Sequence, residues 1–182
     1  LTDGIIGFAK SQGFDLVVMG TKGSWGLQEK LSGSETQLVT RLSKVPVLSM
    51  MCDRSDLEIK NVLLVHDYTQ SGNENIAVLK LLVKAFDANV HLLQILDAST
   101  DESAIQAGMD RFAAANGFSQ FEKHIISDRN VEEGVTHFNQ VHNMDLVCIG
   151  THGLTGINRF LHPSATEKMV NHLFKPILTF HL

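Results

Sequence analysis

The chain has 182 residues, 43% hydrophobic and 19% charged, enough apolar material for one sizeable core or a domain and a half. A formal net charge of -5 without any basic stripe argues against a nucleic-acid partner bound by phosphate neutralisation. No apolar run approaches the roughly 20 residues that span a bilayer and no stretch reads as a leader, so no membrane partner and a cytoplasmic setting are expected.

Thr2–Gln12 reads as a helix, with Ile5 and Phe8 at helical spacing and Ile6 and Ala9 flanking them on one apolar face. A strand over Asp15–Met19, a glycine loop, a helix over Ser34–Ser43 with Leu38, Val39 and Leu42 inward, and a strand over Pro46–Met51 follow. Cys52–Lys60 is polar and aperiodic and marks a boundary. Beyond it come a strand at Asn61–His66, a polar turn from Asp67 to Gly72, and a helix at Asn73–Phe86 that turns Ile76, Leu79, Leu82, Val83 and Phe86 towards a sheet. Asn89–Leu96 is almost continuously apolar, as suits a parallel strand covered on both faces. Asp101–Asn116 is a helix with Ile105, Met109, Phe112 and Ala113 on one side, closed by Asn116-Gly117, and Phe118–Ser127 is the next strand. Asn130-x-x-Glu133 caps a helix carrying Val135, Phe138 and Val141. A strand at Asp145–Ile149, a second glycine loop, a helix at Ser164–Leu173 and a strand at Pro176–Leu182 end the series. Strands alternating with helices predict a right-handed, doubly wound parallel α/β fold.

Residues 1–52 slide onto 131–182 without a gap, and fourteen positions match, among them Gly4/Gly134, Phe8/Phe138, Asp15/Asp145 and Pro46/Pro176. The spacing indicates an internal repeat. Its centre is Gly20-Thr21-Lys22-Gly23 with Gly33-Ser34 after nine intervening residues, answered by Gly150-Thr151-His152-Gly153 with Pro163-Ser164. In each copy an apolar strand runs into a glycine turn, and Ser34 or Ser164 stands where it caps a helix, with Gln37 or Glu167 capping back. Glycine backbone beside a helix start makes a cradle for phosphate; the same glycines also serve simply to fold a loop tightly against a sheet edge.

Gly20-x2-Gly23-x9-Gly33-Ser34 resembles the nucleotide-binding signature of the universal stress proteins, and Gly150-Thr151-His152-Gly153-Leu154-Thr155-Gly156 is similar to the same family's loop. The resemblance spans nearly the whole chain. It implies tandem copies of a five-stranded, adenine nucleotide alpha hydrolase-like sheet with strand order 3-2-1-4-5, pairing through their last strands within one chain or in a homodimer. Residues 1–52 then correspond to the C-terminal part of a first repeat and 53–182 to a complete second repeat. The first copy lacks three strands and two helices. Its strand Asp15–Met19 is therefore expected to be completed by a longer chain or by another one. The resemblance also implies ATP or AMP as ligand, though many relatives lack the motif and do not bind ATP.

Ligands in doubly wound sheets sit at the strand carboxyl ends, at the switch point, which sets Asp67 facing Gly150, Thr151 and Gly153. The resemblance likewise implies an acidic residue beside the nucleotide at Asp67; alternatively, Asp67 only shapes its turn. Pro163 replaces the motif's third glycine, offers no N–H to a phosphate and fills space, so the second site is expected to bind ATP poorly or in another pose, with Gly153 and Ser164 still available. The first copy keeps Gly20, Gly23, Gly33 and Ser34, with Lys22 adding charge, but has no counterpart of Asp67. Trp25 either stacks on a ligand or packs over its own loop. His66, His152 and His162 near Asp67 match no zinc spacing, and Cys52 and Cys148 form neither a disulfide framework nor a metal knuckle, so no metal is assigned. Without a Walker Lys-Ser ending or a recognisable Ser/His/Asp order, an ATP-using enzyme is not indicated beyond slow hydrolysis. Two functions remain: a nucleotide-binding regulatory module, or a scaffold acting through dimerisation and protein partners.

Overall fold

A computed structural model of the chain describes residues 1–21, 35–51, 57–68, 76–96, 101–151 and 175–181. The helices are α1 (Thr2–Ser11), α2 (Glu35–Leu42), α3 (Ala77–Phe86), α4 (Glu102–Asn116) and α5 (Val131–His142). The strands are β1 (Val17–Thr21), β2 (Val47–Met51), β3 (Asn61–Val65), β4 (Asn89–Leu96), β5 (Phe121–Ser127), β6 (Leu146–Thr151) and β7 (Ile177–His181). The helix read at Ser164–Leu173 lies outside the described residues.

All seven strands form one sheet in the order β1-β2-β7-β6-β3-β4-β5. The five-stranded sheets implied by the resemblance are thus corrected to a single larger one. The cause is an edge-to-edge bond: β2 and β7 pair antiparallel, with Leu48 opposite Leu178, Val47 opposite Thr179 and Ser49 opposite Ile177. Every other pairing in the sheet is parallel. Side chains reinforce the seam, since Ser49 Oγ donates to the Ile177 carbonyl at 3.2 Å and Thr179 Oγ1 donates to the Val47 carbonyl at 3.3 Å. Among the described residues β1 ends the sheet, hydrogen-bonded on one side only, to β2.

The central strand β3 is apolar throughout its middle because both its faces are covered. Val62 and Leu64 join Ile76, Leu79, Ile105 and Met109 of the α3 and α4 side, while Leu63 and Val65 join Val135 and Phe138 of α5. Val62, Leu63 and Leu64 are fully buried. Each such side chain contributes roughly 1.5–3 kcal/mol relative to exposure.

Helix ends follow local chemistry. Asp101 caps α4 by accepting from the Ser103 N–H at 2.9 Å, and Asn130 caps α5 by accepting from the Glu133 N–H at 2.9 Å. Gly117, at φ 75°, closes α4 in the left-handed conformation. At the start of the sheet, Asp145 accepts from the backbone N–H groups of Lys60 and Asn61 at 3.0 and 2.9 Å, locking the entry of β6 to that of β3.

Leu42 and Phe86, read as inward, are exposed, as are Phe8 of the apolar face of α1 and Val141 of α5. Phe8 packs on Phe14 with ring centroids 5.8 Å apart and otherwise stays exposed, so among the described residues the apolar face of α1 is only partly used.

Candidate functional site

β3 and β6 lie side by side and run the same way, with Val65 opposite Ile149 as their last pair. From β3 the sheet extends through β4 and β5, and from β6 it extends the other way through β7. This divergence is the switch point of the sheet, the place at the strand carboxyl ends where doubly wound folds take their ligands. Asp67 follows β3 by two residues, and Gly150 and Thr151 end β6, so the structure brings these three positions to the same end of adjacent strands.

Asp67 is held there by a neighbouring strand. The buried Gln94 of β4 accepts from the Tyr68 N–H at 2.9 Å and donates its amide to Asp67 Oδ1 at 3.2 Å. One side chain therefore fixes both the turn backbone and the carboxylate. Tyr68 OH donates to the Leu64 carbonyl at 2.9 Å, pinning the turn back onto β3. Its ring meets Phe112 of α4 edge-on at 5.3 Å and His66 at 5.2 Å, and His66 in turn stacks on Phe112 at 5.7 Å.

α4 approaches this turn so closely that a Cβ on Gly108 would lie 1.9 Å from the Tyr68 carbonyl oxygen. Glycine at that helix position is therefore a condition of the contact. Neither Gln94 nor Gly108 is among the residues expected from sequence. The available signals are a single amide inside an apolar strand and a single glycine inside a helical pattern.

The glycine motifs begin inside strands rather than in the turns assigned to them. Gly20 and Thr21 pair with Met50 and Met51 of β2, and Gly150 and Thr151 pair with Phe180 and His181 of β7. The reason is the parallel ladder, which continues two residues past the apolar run. At the first motif, Thr36 at the start of α2 donates its hydroxyl to the Gly20 carbonyl at 3.3 Å, and the Thr2 hydroxyl donates to Glu35, so α1 and α2 are tied around the end of β1. Lys22, Gly23, Gly33, Ser34, Gly153 and Ser164 lie outside the described residues, as do Trp25, His152, His162 and Pro163. Cys148 is a free, fully buried thiol whose pKa is pushed up by burial, as befits a core residue rather than a reactive one.

The family model of the universal stress proteins matches residues 2–49 and 58–181. The chain belongs to the universal stress protein family. Its fold is similar to that of a universal stress protein from Archaeoglobus fulgidus at a TM-score of 0.75 and 21% identity, over 99% of this chain and 64% of that one. A putative universal stress protein from Pseudomonas aeruginosa is similar at 0.72 and 18% identity, over 100% and 68%. A universal stress protein crystallised in complex with cAMP is similar at 0.51 and 18% identity, over 68% of this chain and 98% of that one. At these identities the likeness is one of fold. The chain spans about 64% of the length of the Archaeoglobus protein. No curated protein matches it. Among the described residues, no helix is long and apolar enough to cross a membrane.

Proposed function

We propose that this universal stress protein is a regulatory module responsive to an adenine nucleotide, ATP or AMP, working in the cytoplasm. The observation that carries the reading is the switch point, where doubly wound sheets offer a ligand crevice and where Asp67, held by Gln94, stands at the same end of the sheet as Gly150 and Thr151. The adenosine half of the ligand takes this crevice, with Gly153 and Ser164 beyond Thr151 receiving phosphate in a pose that avoids the imino acid at Pro163. The segment Gly20-Thr21-Lys22-Gly23 with Gly33-Ser34 is the second phosphate seat, with the full set of motif glycines. A structural relative whose crystals contain cAMP supports the ligand class.

The reading includes two tandem copies, 1–52 and 53–182. Support comes from the seam. Leu48 faces Leu178, its own equivalent at an offset of 130, and the equivalent hydroxyls of Ser49 and Thr179 reach reciprocally across it. Such reciprocity is the mark of a two-fold interface. The same feature favours one rival reading, a scaffold that binds no nucleotide and acts by pairing through β2 or β7 with partners or with a second copy.

A thermal melt with and without millimolar ATP or AMP tests the proposal. A ligand at a hundred times its Kd stabilises the native state by about 2.7 kcal/mol, which raises Tm by about 5–10 °C for a chain of this size. Asp67→Ala removes the shift that arises in the crevice, Gly33→Pro removes that of the first motif, and Pro163→Gly enlarges the response of the second. Unmoved transitions with both nucleotides would replace the nucleotide reading by the scaffold.

A further inference from the structure

A second constellation lies towards the amino ends of β4 and β5, away from the crevice. His91 of β4 stands opposite Glu122 of β5 in the parallel register. Glu122 and His124 are two residues apart and so share one face of β5. That face is roofed by α5, whose Phe138 and His142 rings stand 4.8 and 5.3 Å from the His124 ring. His91 is buried, His124 is half-buried, and Glu122 opens to solvent.

We propose that His91, Glu122 and His124 form a binding site for one zinc-like divalent cation, with water completing its coordination. The donor atoms have the required spacing. His91 Nδ1 and His124 Nε2 are 3.1 Å apart, and each is 3.7 Å from Glu122 Oε2. A point equidistant from three atoms so spaced lies about 2.0 Å from each, which is the length of zinc bonds to imidazole nitrogen and carboxylate oxygen.

The surroundings prepare the ligands. The outer nitrogen of His91, Nε2, sits 3.4 Å from Asn61 Oδ1; as an N–H it donates to that oxygen, which leaves the Nδ1 lone pair directed at the site. Burial, aided by the neighbouring His142, lowers the pKa of both rings against the opposing pull of Glu122. Imidazole binds metal in its neutral form, so two of them with one carboxylate make a donor set of single negative charge. Such a mixed nitrogen and oxygen set selects zinc and its transition-metal neighbours over magnesium and calcium, which prefer oxygen alone. The set shares no residue with the His66, His152 and His162 grouping, to which the sequence assigned no metal.

In the absence of metal, His124 Nε2–H donating to His91 Nδ1 satisfies the same two atoms, and that is the alternative an experiment must separate. Titration of the full chain with Co2+ at neutral pH gives the readout, because low-coordinate Co2+ absorbs visible light far more strongly than the aqua ion. One equivalent is expected to develop the intense band, and Zn2+ is expected to displace it. Glu122→Gln, at an exposed position, and His124→Ala both abolish the band. Asn61→Ala, which removes the outer hydrogen bond of His91 together with a long one from the Asn89 amide, weakens Co2+ binding roughly 10–100-fold. His137→Ala, on the exposed His137–Asp128 pair, leaves it unchanged. A wild-type chain without the band at stoichiometric Co2+, or a band that persists in Glu122→Gln, overturns the assignment. Neither result depends on nucleotide binding.

Discussion

Replacing Gly108 by alanine sets two opposed effects against each other in one residue. In a solvent-facing helix position the change is stabilising by about 0.5–1 kcal/mol, because glycine loses more backbone entropy on folding. At Gly108 the new methyl would sit 1.9 Å from the Tyr68 carbonyl oxygen and 2.8 Å from its carbon, and these are backbone atoms that no rotamer change removes. Restoring even a 3.0 Å separation moves α4 or the Asp67 turn by about 1 Å. The turn resists, being held through Gln94 and the Tyr68 hydroxyl. Overpacking of this kind costs about 1–3 kcal/mol, and more where neighbours cannot yield. The expected net is a loss of about 1–2 kcal/mol, or a fall in Tm of about 2–8 °C. Gly7 of α1 provides the control, since a methyl there meets nothing within 4 Å, and Gly7→Ala should raise stability by about 0.5–1 kcal/mol. Urea unfolding of the three proteins measures both signs. A Gly108→Ala chain as stable as the wild type would refute the reasoning.

The seam between β2 and β7 is predicted to be energetically balanced: Ser49→Ala and Thr179→Val each cost about 0.5–1.5 kcal/mol in urea denaturation. A loss confined to one of the two would show that only one crossing hydroxyl matters. Acid sensitivity has a defined direction. Hydrogen bonds from Ser103 hold the Asp101 carboxyl below the usual carboxylate range, and one from His137 does the same for Asp128. The folded state thus favours the ionised forms, so their contribution is complete above about pH 4 and is lost as pH falls through the folded pKa values. Asp101→Asn keeps a capping oxygen, and should match the wild type at pH 7 while losing less Tm between about pH 4 and pH 2. An identical acid profile for the two proteins would remove Asp101 from the account.

Periodicity and capping residues were sufficient to locate most of the helices and strands. Asn89–Leu96 announced a strand covered on both faces, and Asn116-Gly117 marked where α4 stops. Burial was less legible where it depends on a neighbour. Phe8 and Leu42 have helical spacing but stay exposed on α1 and α2, so spacing alone does not settle burial. Phe86 and Val141 stand in the last turns of α3 and α5, where the apolar stripe continues although the cover does not. Asp67 and Gly150 could be placed from the switch-point rule. Their support could not, because Gln94 and Gly108 reach the Asp67 turn from strands and helices 26 or more residues away. His91, Glu122 and His124 meet only through the register of β4 on β5, which no local pattern specifies.

Since β2 and β7 run in opposite directions, the carboxyl ends of β1 and β6 emerge on opposite rims of the sheet. Thr21 and Thr151 therefore end their strands on opposite rims. Among the described residues the two rims are joined through the rungs around Leu48 and Leu178, so a message carried along that route would be mechanical, set by how tightly two strands grip.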